Sequence, residues 1–169
     1  MERTNETGLK TKDVNFLYKD CGFNFRVAAL ITCKDHILLQ SSGGNDFWTT
    51  VGGRVKLGES TDEAMTRELQ EELGLEANKK LVWIAENFFK WQGYYAHEIQ
   101  YVFKIELDEK LFEKYESFSI LDSKTEKTKW IHKSELKNYV CKPNIIYDFF
   151  DEFEGIRHTV AKEYDVNID

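Results

Sequence analysis

Residues 53–75 read GRVKLGESTDEAMTRELQEELGL, and the rest of the chain is best understood outward from them. Ser60 or Thr61 can cap a helix here, and the acids that follow suit its positive N-terminal end. Met65, Leu69 and Leu73 recur every four residues and make one apolar stripe. Gly74 is placed to stop the helix. At 100° per residue, Glu68 and Glu72 lie about 40° apart and Glu71 about 60° to the other side of Glu68. Three carboxylates thus form a ridge along the border of the buried face. Like charges at this spacing weaken a helix by roughly 0.2–0.5 kcal/mol per pair. A solvated acidic face tolerates that; a ridge beside a core is better explained by a cation that neutralises it. Oxygen donors with no His or Cys nearby favour Mg²⁺, with Mn²⁺ as the alternative. Mg²⁺ is commonly shared with substrate phosphates, which points to phosphate chemistry.

The same segment dominates the charge of the chain. The 169 residues carry 23 Lys and Arg against 30 Asp and Glu, a net charge of −7. Between Glu59 and Glu76 stand seven acids (Glu59, Asp62, Glu63, Glu68, Glu71, Glu72, Glu76) and one base, Arg67. Overall acidity argues against nucleic acid or anionic membrane as partners. At 41% hydrophobic and 14% aromatic residues, the chain can bury a core. We expect one domain over residues 1–169 with its core at about 23–153. Met1–Lys12 has no apolar leader segment and no run reaches about 18 apolar residues, so a cytoplasmic location is expected. Cys21, Cys33 and Cys141 lack metal-site spacing and read as reduced packing residues.

Around the helix, Phe23–Thr32 reads as a strand, turned at Lys34-Asp35 into His36–Gln40. Residues 41–46 read as a loop and Phe47–Val51 as a short strand. Leu81–Phe89, Tyr95–Leu107 and Lys129–His132 follow as strands. Ser134 is a candidate cap for a short helix starting at Glu135-Leu136. Pro143 suits the first position of a last helix, with Ile145, Ile146, Phe149, Phe150 and Phe153 buried and Gly155 at its end. Strands and helices are interspersed without regular βαβ units. The fold class is therefore α/β, with a mixed sheet and helices on both sides.

The spacing is more specific than the charge. Gly53 is followed after five residues by Glu59, then after seven by Arg67-Glu68-Leu69-x-Glu71-Glu72-x-Gly74-Leu75. This resembles the signature of the Nudix hydrolase (MutT-like) family at every specified position. Seven positions demand a single residue type; at roughly 7% usage each, a chance match is on the order of one in a hundred million per start. The resemblance implies an α/β/α sandwich and hydrolysis of a nucleoside diphosphate linked to another moiety, with water attacking phosphorus. It implies that Glu68, Glu71 and Glu72 ligate divalent metal, with the Gly52 carbonyl as a further ligand. Glu68 or Glu72 would also orient or deprotonate the water. Arg67 and Glu59 would pair to hold the loop, and Gly53 and Gly74 would supply backbone freedom. Many members have proline before the two glycines, where this chain has Val51.

Secondary candidates lie outside the motif. The segment Glu86-Asn87-Phe88-Phe89, Gly93 and His97-Glu98-Ile99 resembles some Nudix proteins of unassigned substrate. Glu98 is a candidate extra metal ligand or base, against the reading of an ordinary polar strand residue; Glu113 and Glu116 are weaker alternatives. His97 reads as structural. Phe47, Trp48, Phe88, Phe89, Trp91, Tyr94 and Tyr95 are candidates for stacking on a base, against the commoner fate of core packing. Trp48, Arg26 and Arg54 are taken as substrate-binding residues, with Lys56 also beside the glycines. Residues Lys124–Lys129 read as a solvated loop. The expected partner is a small nucleotide, and a homodimer is compatible with the apolar strands. The alternative function is a non-catalytic Nudix-fold module that binds or senses a nucleotide.

Overall fold

The computed structural model of the chain describes residues 12–41, 46–112, 114, 127–151 and 154–164. The described strands are β1 (Asn15–Tyr18), β2 (Cys21–Cys33), β3 (His36–Ser41), β4 (Trp48–Thr49), β5 (Val51–Arg54), β6 (Lys80–Trp91), β7 (Tyr94–Glu106), β8 (Thr128–His132) and β9 (Arg157–Lys162). Helix α1 (Thr61–Leu73) lies between β5 and β6.

All these strands belong to one mixed sheet whose main path runs β4-β3-β2-β7-β6-β9. β2 is its axis. One edge of β2 pairs in parallel with β7, from Cys21↔Tyr95 to Thr32↔Glu106. Its other edge takes β1, β5 and β3 in succession, all antiparallel. β8 extends the β3 side, and β9 pairs in parallel with β6.

Successive β2 residues point to opposite faces, as the pleat requires. Val27, Ala29, Ile31 and Cys33 join a core with Met65, Leu69 and Leu73 of α1. Ala28 and Leu30 join a second core with Val82, Trp83, Leu136, Ile145, Ile146 and Phe149. Burying each large side chain of the α1 stripe contributes roughly 1.5–3 kcal/mol. The sheet is thus covered on both faces, which is the expected sandwich.

The second covering layer differs from the expected one in kind. In place of an α-helix stands a short 3₁₀ segment, Asn144–Asp148, and Pro143 lies just before it at the N-cap position, without a side-chain cap, not at its first residue. Ile145, Ile146 and Phe149 are nonetheless buried as foreseen, and Phe150 packs beside them; Phe153 lies outside the described residues. Ser134 caps nothing: its amide donates to His132 Nδ1 at 3.2 Å, and the 3₁₀ turn Leu136–Asn138 has no side-chain cap. β1 and β9 were not expected from the sequence. Cys33 and Cys141 are buried thiols, as packing residues should be, while Cys21 is exposed. Among the described residues, no helix is long and apolar enough to cross a membrane.

Candidate functional site

The site begins where β5 crosses β2. Antiparallel pairing sets Gly52 beside Ala28 and Gly53 beside Val27. The chain then turns through residues 55–60 into α1. Ser60 caps the helix by a reciprocal pair: its side chain accepts from the Glu63 amide, and Glu63 accepts from the Ser60 amide at 2.8 Å. Gly74 ends it in the left-handed conformation, φ 60° and ψ 30°.

This anchoring fixes how the acidic ridge meets β5. Glu68 and Glu72 are only 9% and 8% exposed, although both carry carboxyl groups. Glu72 Oε2 accepts from the Gly52 amide at 3.3 Å. A methyl group on Gly53 would stand 2.3–2.6 Å from the Glu68 carboxylate atoms. The helix therefore presses two carboxylates onto the glycine pair, and a side chain at position 53 would displace the Glu68 carboxylate.

Buried carboxylates are costly without partners. Arg67 serves Glu68, and its five N–H donors go to three carboxylates, Glu59, Glu68 and Glu71, and one carbonyl, that of Arg54. Its Nε and Nη2 grip Glu59 at 2.7 and 3.0 Å. Nη2 also donates to the Arg54 carbonyl at 3.0 Å. Nη1 donates to Glu68 Oε1 and, at 3.1 Å, to Glu71 Oε2. Burial pushes the Glu68 carboxyl above the ordinary range, and Glu71 adds to this; Arg67 and Arg26 only partly offset it. Glu59 is also partly buried, but its bonds from Arg67 and the Lys56 amide outweigh burial and lower its carboxyl. The Arg67 guanidinium, held by Glu59 and Glu68 against its own desolvation, is raised further above its usual value.

Glu98 comes to the other face of the sheet. It is buried on β7, accepts from Asn87 Nδ2 at 3.2 Å, and lies 3.9 Å from Arg26 Nε. Arg26 also reaches the Gly52 carbonyl, with Nη2 at 3.4 Å. Arg26 thus stands between Glu98 and the glycine pair. Asn87 enters the sequence reading only within its segment, and Gln100, buried on β7 beside Arg26 of β2, belongs to no motif that marks it.

Other candidates are placed elsewhere. The Arg54 side chain turns to Asn24 at 3.0 Å and Asp13 at 3.5 Å, so its carbonyl, not its guanidinium, serves the site. Trp48 packs on Tyr139 with ring centroids 6.1 Å apart, against the second core. Phe47 meets Trp91 edge to face. His97 is sandwiched against Phe88 and Phe23, as a structural histidine would be. Glu113 and Glu116 lie outside the described residues, and of 124–129 only 127–129 are described, with Thr128 opening β8 rather than continuing a loop.

A family model described as "NUDIX domain" matches residues 22–153. The chain belongs to the Nudix family. The asymmetrical bis(5'-nucleosyl)-tetraphosphatase of Sus scrofa is 40% identical over 67 residues, 40% of this Nudix chain and 44% of that protein. The match therefore spans less than half of that relative's length. Among solved structures, the MutT protein of Bacillus halodurans superposes with a TM-score of 0.61 at 20% identity, covering 83% of this chain and 91% of that one. The MutT Nudix hydrolase of Burkholderia pseudomallei gives 0.58 at 19%, covering 75% and 96%. At these identities the likeness is one of fold, and it agrees with the Nudix sandwich described above.

Proposed function

We propose that this chain is a divalent-metal-dependent Nudix pyrophosphohydrolase, cleaving a nucleoside diphosphate linked to another moiety. The observation that carries the reading is the pair of buried carboxylates, Glu68 and Glu72, set against the Gly52–Gly53 backbone. Such a placement is hard to justify by stability alone.

The donor set suits Mg²⁺ or Mn²⁺, since every candidate is a hard oxygen. Glu68, Glu71, Glu72 and the Gly52 carbonyl are the residues to hold it; Glu98, also a candidate in the sequence, faces the Arg26 guanidinium instead. Among the described residues no three such side chains yet converge on one point. Guanidinium groups hold the relevant oxygens: Arg67 on Glu68 and Glu71, Arg26 on Gly52. When bound, the metal supplies positive charge to phosphate oxygens and lowers the pKa of a bound water. The chain's own part is positional. Arg67 and Glu59 fix the ridge, and the Gly52 amide orients Glu72. Burial raises the Glu68 carboxyl, and Glu68 or Glu72 would orient or deprotonate the attacking water.

The substrate is a small nucleotide in this reading. The relative's printed activity makes an asymmetrically cleaved dinucleoside tetraphosphate the first to test, beside nucleoside triphosphates, oxidised triphosphates, ADP-ribose and nucleotide sugars. With Mg²⁺ or Mn²⁺, at least one of these should be hydrolysed. Glu72→Gln keeps an acceptor for the Gly52 amide but removes the charge. It should remain folded by circular dichroism and lose most activity, on the order of 10²-fold or more. A wild-type protein inert on the whole panel, or a fully active Glu72→Gln, would sink the proposal; calorimetric binding without phosphate release would instead identify a sensor module.

A further inference from the structure

We propose that Arg26 is a displaceable guard of the Gly52 carbonyl, yielding it to a divalent cation by turning onto Gln100 and Glu98. This rests on the metal-dependent reading above. Three observations carry it.

Arg26 is poorly held where it is. Its bond to the Gly52 carbonyl is long, at 3.4 Å, and its approach to Glu98 is 3.9 Å. Its Nε–H is buried without any hydrogen-bond partner. Next, an orphan acceptor lies alongside. Gln100 is 4% exposed, and its Oε1 has no partner either. Arg26 and Gln100 are paired positions on the parallel strands β2 and β7, so they share a face at roughly 4.8 Å spacing. An unpartnered buried donor beside an unpartnered buried acceptor is a costly arrangement. Turning the Arg26 stem toward Gln100 would give each its missing partner. Finally, the receiving end is already charged to accept the guanidinium. Glu98 neighbours Gln100 two residues along β7 and is steadied by Asn87.

The trigger is electrostatic. A guanidinium and a divalent cation cannot both sit on one carbonyl oxygen, and their mutual repulsion grows where water is excluded. Arg26 bonds the carbonyl of the same residue whose amide holds Glu72, so its charge stands beside the ridge. Moving Arg26 away strengthens the negative potential at the ridge at the moment the cation arrives. Gln100 is accordingly a positioning residue, acting on the metal only through Arg26.

The test reads cation binding and the arginine itself, without substrate. In ¹⁵N NMR of the full chain, Mg²⁺ should shift the Gly52 and Gly53 amides and, with them, the Arg26 Nε–H, which becomes protected from exchange. In Gln100→Met the amides should still shift while the Arg26 signal does not gain protection. Mn²⁺ titration by EPR should show about fivefold tighter binding in Arg26→Met, the size of one hydrogen bond no longer surrendered. Gln100→Met should weaken binding about fivefold in the wild-type background and not at all in the Arg26→Met background. The wild-type NMR titration needs no variant and decides even where Arg26→Met fails to fold. If the glycine amides do not respond to Mg²⁺, the metal-dependent reading and this inference fall together. If they respond while Arg26 Nε–H does not, or if Gln100→Met weakens Mn²⁺ binding equally in both backgrounds, the guard alone is refuted.

Discussion

Gly52 and Gly53 are neighbours with different reasons to be glycine, and the difference is measurable. Gly52 has φ +151°, and a methyl group there would stand 2.2 Å from the Val27 carbonyl oxygen and 2.9 Å from the Ala28 Cα. Both are backbone atoms of the central strand and cannot step aside. Gly53→Ala instead meets the carboxylate end of Glu68, a group that can swing. Gly52→Ala should therefore lose about 2–5 kcal/mol of stability, combining strained backbone and overlap. Gly53→Ala should stay within about 1 kcal/mol of wild type in urea unfolding. Its cost falls on activity, because an Å-scale displacement of a working group can lower kcat by about 10²-fold. Equal stability losses in the two variants would contradict this division. The sequence shows glycine at both positions but cannot separate them, since the obstructing atoms belong to β2 in one case and α1 in the other.

At the scale of the element, α1 depends on its cap more than on its own charge pattern, which is acidic at both ends and has no base in its last turn. Ser60→Ala removes one half of the reciprocal cap and should cost about 1 kcal/mol. The other half is pH-dependent. The Ser60 amide and hydroxyl hold the Glu63 carboxyl below its ordinary value of 4.5. A lowered carboxyl stabilises the fold fully above that ordinary value, and its contribution disappears as pH falls through the lowered one. The gap between wild type and Ser60→Ala should thus be constant from pH 7 to about 5 and shrink toward pH 3, read by urea unfolding at each pH. A gap unchanged at pH 3 would mean that the Ser60 hydroxyl's bond to Glu63 adds nothing, the amide bond being common to both proteins. This helix was legible in the sequence because its cap, stripe and stop are all local. The last helix was not, because the Ile145, Ile146 and Phe149 pattern states what is buried, and three residues satisfy a 3₁₀ turn as well as an α-helix. β9 was missed for the same reason in reverse: it alternates half-buried and exposed residues, and its partner β6 is remote in sequence. The acidic ridge could be read from i,i+4 spacing, whereas the Arg26–Gln100 pairing exists only through strand register.

Taken whole, the molecule has a net charge of −7, most of it between Glu59 and Glu76. Two accounts of that charge make opposite predictions about salt. If it is a diffuse surface property, any added electrolyte relieves the repulsion by screening, and NaCl and MgCl₂ at matched ionic strength stabilise the fold alike. If it is concentrated on a site that selects a divalent cation, Mg²⁺ binds the folded chain and not the unfolded one. It then adds about 2.7 kcal/mol at one hundred times its Kd, or roughly 5–10 °C in Tm for a chain of this size. The packing supports the second account. Glu68 and Glu72 are withdrawn from solvent screening, and the only base in the segment, Arg67, is fully engaged with Glu59, Glu68, Glu71 and the Arg54 carbonyl. Mg²⁺ should therefore raise Tm well beyond matched NaCl, EDTA should reverse the gain, and Glu72→Gln should abolish most of it while leaving the small NaCl effect intact. An identical response to the two salts in scanning calorimetry would return the acidity to an ordinary surface feature. It would also remove the physical reason for burying two carboxylates against the glycine pair.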